Sequence, residues 1–250
     1  MPKVRKKRNE IHNLADLLDR LHRDNISGSI YWYRGHAKAT WKLMSKLGRK
    51  KKNLQREEDI ISRFRQNAAL LLKNPIQNPW ELITIMQHHG VPTRLLDWSE
   101  SPLVALYFVI SEAKYRREDG ALWVLDPIEL NKSANIKPDY ALKIPSFGDG
   151  VVEGYTTGSL KNENSVRLDP IAVIGARNTP RMQAQLGSFT IIHRDAKAIE
   201  EIGSATHVRK YVIPSARKIG IAKELKILGF DRFQLFPELE SLGQIIEGSL

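Results

Sequence analysis

The sequence predicts an α+β protein in which helices gather mostly in the first half and strands mostly in the second. Two observations carry that reading. Amphipathic segments with helical spacing open the chain, while short runs of β-branched and aromatic residues between turn residues close it. No regular strand–helix alternation of the kind that builds a parallel sheet links the two. There is no internal repeat and no linker rich in Pro, Gly or Ser. The expected layout is a basic N-terminal tail and helix over residues 1–28, then a single domain over 29–250.

The elements follow in order. "EIHNLADLLDRLHRD" puts Ile11, Leu14, Leu17, Leu18 and Leu21 on one helical face. "SIYWYRGH" is rich in β-formers after Gly28, which predicts a strand over Ser29–Tyr33 with Arg34 at its end. "REEDIISRFRQNAALLLKN" starts with acids and ends on Lys73, as a helix dipole favours. "PWELITIMQHHG" reads as a helix with Pro79 in its first turn and Gly90 past its end. "TRLLDWS" is a short extended segment. In "SPLVALYFVISEAKY", Ser101 is placed to cap a helix that Pro102 begins. "ALWVLDP" is a buried strand, and residues 131–168 read as polar and aperiodic. "PIAVIGA", "GSFTIIHR" and "HVRKYVIP" are three further strands, and "SARKIGIAKELKILGF" is a helix stopped by Gly229.

Composition bounds the function. With 42% hydrophobic and 27% charged residues the chain is that of an ordinary globular protein. No run is long and apolar enough to span a membrane, and no apolar core of a secretion signal follows the basic start. Zero cysteines excludes disulfides and thiolate metal sites and fits a cytoplasmic location.

The net charge of +11 is localised. Residues 1–8 hold five basic groups, and "KLMSKLGRKKKNLQR", Lys42–Arg56, holds seven and no acid; the remaining 27 basic residues nearly balance 28 acidic ones. Such tracts suit a phosphate backbone, because neutralising phosphates releases condensed counterions. They equally suit a solvated tail and loop. Arg49, Lys50, Lys51 and Lys52 are the candidate nucleic-acid contacts. Neither tract interleaves aromatics for base stacking.

The common nucleotide, protease and hydrolase signatures are missing. His88 and His89 would diverge on a helix, a poor geometry for holding one ion, so no metal is expected. Arg34, between Tyr33 and Gly35, offers a planar charged fork beside backbone that a ligand can approach, or else pairs with a structural carboxylate such as Asp97. Thr93, Arg94 and Asp97 either form a buried knot or present hydroxyl and charge to a ligand. Arg181, Gln183 and Gln185 alternate, so on a strand they share one face. Glutamine is a poor general base.

Tyr33-Arg34-Gly35, the block "QHHGVPTRLLDWSESPLVALYF", the later "RMQAQLGSF" and the C-terminal "IPSARKIGIAKELKILGF...LFPELESL" together resemble the FRG domain family, named for a Phe-Arg-Gly motif. The resemblance spans roughly Tyr31–Leu242, with tyrosine where the motif has phenylalanine. More remotely the family is similar to the ADP-ribosyltransferase fold. That similarity implies a mixed or antiparallel β core with an N-terminal helical portion, NAD as substrate and no metal. It gives Arg34 to the NAD phosphates or ribose, the backbone of Gly35 to the nicotinamide amide, and Thr93 or Ser99 to the hydroxyl position. Tyr33, His36, His88 and Arg94 complete the expected cofactor-binding set. The position of the transferase glutamate falls near Gln183 or Gln185, where the charge is lost. Arg34, Asp97 and Gln185 are the expected catalytic set.

The expected function is binding of NAD or a related nucleotide, with ADP-ribosyl transfer or NAD cleavage and nucleic acid as acceptor. The alternative is a non-catalytic nucleic-acid-binding module on a degenerate transferase fold. The resemblance also implies a part in phage defence or toxin systems.

Overall fold

Six antiparallel strands form one sheet in the spatial order β4-β5-β2-β1-β3-β6 in the computed structural model, which describes residues 9–24, 30–72, 74–134, 136, 143–162 and 166–247. The strands are β1 (Trp32–His36), β2 (Leu95–Ser99), β3 (Gly120–Leu125), β4 (Ile171–Val173), β5 (Gly187–Ile191) and β6 (Val208–Ile213). Three lie in each half of the chain, so the expected segregation of helices from strands is not observed. The α+β class holds because every pairing between these six strands is antiparallel.

The helices in chain order are α1 (Leu14–Arg23), α2 (Lys51–Leu54), α3 (Glu57–Ala68), α4 (Pro79–His88), α5 (Pro102–Ile110) and α6 (Pro127–Ser133). They continue with α7 (Gly150–Glu153), α8 (Thr157–Asn162), α9 (Pro180–Ala184), α10 (Lys218–Ile227), α11 (Arg232–Leu235) and α12 (Leu239–Glu247). Capping follows the sequence. Asn78 accepts from the Trp80 and Glu81 amides before Pro79, and Ser101 accepts from Val104 before Pro102. Gly90 and Gly229 take the left-handed conformation past α4 and α10, with φ of 76° and 78°.

Side chains alternate along β2 and divide the core. Leu95, Asp97 and Ser99 face one way, Leu96 and Trp98 the other. On the Leu96 face, Trp32, Leu43, Trp98, Trp123 and Ile199 form one cluster. The opposite face carries two. Over β1-β3-β6, α1, α5 and α10 bury Leu17, Leu21, Leu106, Val109, Ile221 and Leu225 against Tyr33, Leu122 and Tyr211. Over β2-β5-β4, Trp80 and Ile83 of α4 pack with Leu95, Tyr155, Phe189 and Ile191.

Several sequence expectations are corrected. The strand expected at Ser29–Tyr33 is Trp32–His36, because pairing with β3 from Trp32–Leu125 to His36–Ala121 sets its ends. Arg34 and Gly35 are therefore inside the strand. Ser29 lies outside the described residues, as do residues 1–8 of the basic tail. In α1, Leu17 and Leu21 are buried but Leu18 is 57% exposed, since a short helix seats only a narrow stripe; Ile11 is buried ahead of the helix, its amide bonded to the Val212 carbonyl. The aperiodic stretch 131–168 contains α7, α8 and the end of α6, each too short to display a period. Most consequentially, Arg181–Gln185 is not a strand. Thr179 accepts from the Met182 amide and Pro180 starts α9, so a helical turn forms where alternation was expected.

Candidate functional site

The two halves of the sheet meet at β1 and β2, which share the pair Tyr33–Ser99. Beyond it Arg34–His36 turns to β3 and Leu95–Trp98 to β5, so the inner strands part. A cleft of about 570 Å³ opens there, floored by these strands and walled by α5 and the turn after α9.

Arg34 bridges the gap. Its Nη1 donates to the Asp97 carbonyl oxygen, its Nε donates to Nε2 of His36 at 3.1 Å, and Nη1 lies 4.0 Å from Asp97 Oδ2. Burial lowers the guanidinium pKa and Asp97 opposes that shift. Nη2 makes no hydrogen bond to the described residues, which leaves an oriented donor on a partly exposed charge. Burial and the Arg34 charge depress His36 to about 3. His36 is thus neutral at physiological pH and accepts at Nε2, which puts its proton on Nδ1.

Asp97, exposed in the middle of β2, is held from the other side. Its Oδ2 accepts from Gln87 Nε2 at 2.9 Å, and Gln87 Oε1 accepts from Thr93 Oγ1 at 2.6 Å. Thr93 is buried and also accepts from the Leu95 amide, so it orients Gln87 rather than facing the cleft. Ser99 Oγ donates to the Gln185 carbonyl at 2.7 Å and accepts from the Ser101 amide, tying β2 to the α9 turn. Gln185 lines the cleft, but its Nε2 donates to the Leu235 carbonyl at 3.0 Å.

Because Arg181 and Gln185 are four apart on a helical turn, both reach the cleft while Gln183 points to solvent. Arg181 stacks over Phe236 at 4.6 Å. His88, half-buried at the end of α4, also lines the cleft; burial, then the charges of Arg181 and His89, lower its pKa. His89 is the exposed C-cap of α4. Gly35 lines the cleft too, and packing gives it a second role: a Cβ there would stand 1.9 Å from the Ala105 carbonyl oxygen, so only glycine lets α5 lie on β1 this closely.

The structure therefore brings together Tyr33, Arg34, Gly35, His36, His88, Asp97, Ser99 and Gln185, with Arg49 at the rim. It places Arg94 elsewhere, buried and paired with Glu57 at 2.8 Å. Thr93, Gln183, Lys50 and Lys52 also lie off the cleft. For Lys51 only its place at the start of α2 is described.

Sequence reasoning missed the aromatic end. Trp41 packs edge-on to His36 and to Tyr115, with ring centroids 5.9 and 5.1 Å apart, and Lys114 sits 4.9 Å over the Tyr115 ring. Lys46 and Gln87 were missed as well; the signal for Gln87 was its place at the head of the block "QHHGVPTRLLDW".

Five cations (Arg34, Lys46, Arg49, Lys114, Arg181) face two carboxylates (Asp97, Glu112) in this cleft, with aromatic rings at one end. Such a site suits an anionic ligand that carries a planar ring. The fold and site define an α+β protein with a basic, aromatic-lined cleft at the split of an antiparallel sheet. Residues 29–118 match the family model described as FRG domain. The match includes β1, β2 and α5, hence Arg34 and Asp97, and stops before α9 and the C-terminal helices. No curated protein and no solved structure matches the chain. Among the described residues no helix is long and apolar enough to cross a membrane, and no group of three or more His, Cys, Asp or Glu could hold a metal ion.

Proposed function

We propose that the cleft binds NAD or a related phosphorylated nucleotide. The observation that carries this reading is the fixed Arg34 guanidinium, held through Nε and Nη1 with Nη2 left over, at the centre of a cleft with a surplus of positive charge. A pyrophosphate needs such a preoriented fork, because no entropy is then lost in organising the donors. Trp41 and Tyr115 supply a surface for a flat base. The cleft volume of about 570 Å³ lies within the roughly 300–1,000 Å³ of small-molecule pockets.

The activity this reading implies is ADP-ribosyl transfer or NAD cleavage. The bond between nicotinamide and ribose C1′ breaks, nicotinamide leaves with the electron pair, and an acceptor oxygen or nitrogen forms the new bond. Asp97 is the carboxylate we assign to the developing positive charge on the ribose. Nucleic acid is the acceptor class favoured by the basic tract, since Lys46 and Arg49 stand at the rim. One observation favours the non-catalytic alternative, a nucleic-acid-binding module. Gln185 stands where the transferase resemblance calls for a glutamate, and its amide is committed to the Leu235 carbonyl.

Wild-type protein is expected to show a thermal shift with NAD that Arg34→Ala abolishes. Absence of any shift at millimolar NAD removes the NAD reading. Incubation with labelled NAD in the presence of DNA, RNA or protein, followed by product analysis, separates transfer from cleavage, and unchanged NAD favours the binding module.

A further inference from the structure

A second cavity, of about 400 Å³, lies beside the N-terminus of α3 and belongs to neither β1 nor α5. Arg94, one residue before β2, forms part of its wall. This side chain is 1% exposed; its Nε donates to Glu57 at 2.8 Å and its Nη1 to the Ile192 carbonyl, yet its Nη2 is buried with no hydrogen-bond partner among the described residues. A buried guanidinium nitrogen normally finds an acceptor, and leaving its hydrogen bonds unmade is costly.

Two ion pairs on the same wall are long. Lys161 approaches Glu58, and Arg167 approaches Asp195, each at 3.8 Å and at the exposed surface. Arg194 adds a fourth cation against three carboxylates, and His193, held near 4 by burial and by Arg94, contributes no charge at neutral pH. Leu54 and Gln55 of the same wall closely follow Arg49–Lys52 in the chain, and Arg49 lines the cleft. The basic tract therefore links one cavity to the other.

We propose that this second cavity is a phosphate seat, and that it anchors the backbone of a nucleic-acid strand running along the basic tract toward the cleft. The unpartnered Nη2 of Arg94 suits a phosphate oxygen, and weak surface pairs such as Lys161–Glu58 can be exchanged for a stronger oxyanion partner. The seat does not depend on what the cleft binds.

Calorimetry with inorganic phosphate and anisotropy of a short labelled single-stranded oligonucleotide test it, using wild type, Arg34→Ala and the exposed double variant Lys161→Ala/Arg167→Ala. The double variant should lose the phosphate site that Arg34→Ala retains. It should also bind the oligonucleotide about 5-fold more weakly, with a salt slope lower by about 1.4 for two phosphates left unneutralised. Its NAD shift should match wild type. Phosphate binding lost with oligonucleotide affinity unchanged leaves a seat for free phosphate and overturns the strand. Phosphate and oligonucleotide binding both unchanged overturn the proposal. If wild type shows no NAD shift while the phosphate result stands, the reading of the cleft fails and this one survives.

Discussion

At the scale of single residues, His36 links the cleft to acid stability. Its imidazole is buried between Trp41 and Trp123 and accepts from Arg34, so protonation would break that bond and place a second positive charge beside the guanidinium. The folded-state pKa of about 3 lies below the unfolded value near 6.5. With a depressed folded pKa, the contribution is fully present above about pH 6.5 and is lost as pH falls toward 3, because only the unfolded state takes up the proton in that window. His193, held to about 4 by burial first and Arg94 second, acts in the same sense. Each adds a slope of up to about 1.4 kcal/mol per pH unit in that interval. Denaturant titrations from pH 7 to pH 4.5 should show a steep acid loss in wild type and a shallower one in His36→Asn; identical slopes would exclude His36 as a source. Gly35→Ala tests the close approach of α5. A methyl 1.9 Å from the Ala105 carbonyl forces helix and strand apart, and about 3 kcal/mol of destabilisation is expected in urea unfolding.

Between elements, the telling interaction is Glu57 with Arg94. It joins the first turn of α3 to the start of β2 through a pair almost wholly removed from solvent. Glu57→Ala strands the Arg94 charge, so a loss of about 3–5 kcal/mol is expected by urea unfolding, whereas breaking an exposed pair such as Lys132–Glu129 should cost under about 1 kcal/mol. The same pair shows what the sequence made legible. Arg94 was recognisable as a charge before an apolar strand, but its partner is 37 residues earlier, and no local spacing reports that contact. Ser101–Pro102 and Asn78–Pro79 were readable because capping is decided within four residues. Thr179–Pro180 carried an equally local signal. The alternation of Arg181, Gln183 and Gln185 masked it, although a five-residue helix needs no apolar period. Within the cleft, Arg34, Asp97 and His88 stood in recognisable blocks. Trp41 and Lys46 reach the cleft from loops and Tyr115 from a short 3₁₀ turn, through contacts that only the folded sheet creates.

Over the whole molecule the governing feature is where the charge sits. The body is close to neutral, so the long-range field comes from the two basic tracts, and the described part of the Lys42–Arg56 tract touches both cavities. Exposed Lys50 and Lys52 lie between Arg49 at the cleft and Leu54 at the second cavity, on a turn and a single short helix with no acid among them. A polyanion drawn to this surface should incur little desolvation, because these side chains are already in water, and should gain mainly from released counterions. The expected outcome is a steep fall of oligonucleotide affinity with salt. The triple variant Lys50→Ala/Lys51→Ala/Lys52→Ala should flatten the slope by about 2, at about 0.7 for each single-strand phosphate no longer neutralised. Stability should stay within about 0.5 kcal/mol of wild type, as for surface substitutions away from buried partners. An unchanged slope would remove this tract as a contact. A flattened slope with intact NAD binding would assign the two functions to separate parts of one surface, the strand to the tract and the nucleotide to the split in the sheet.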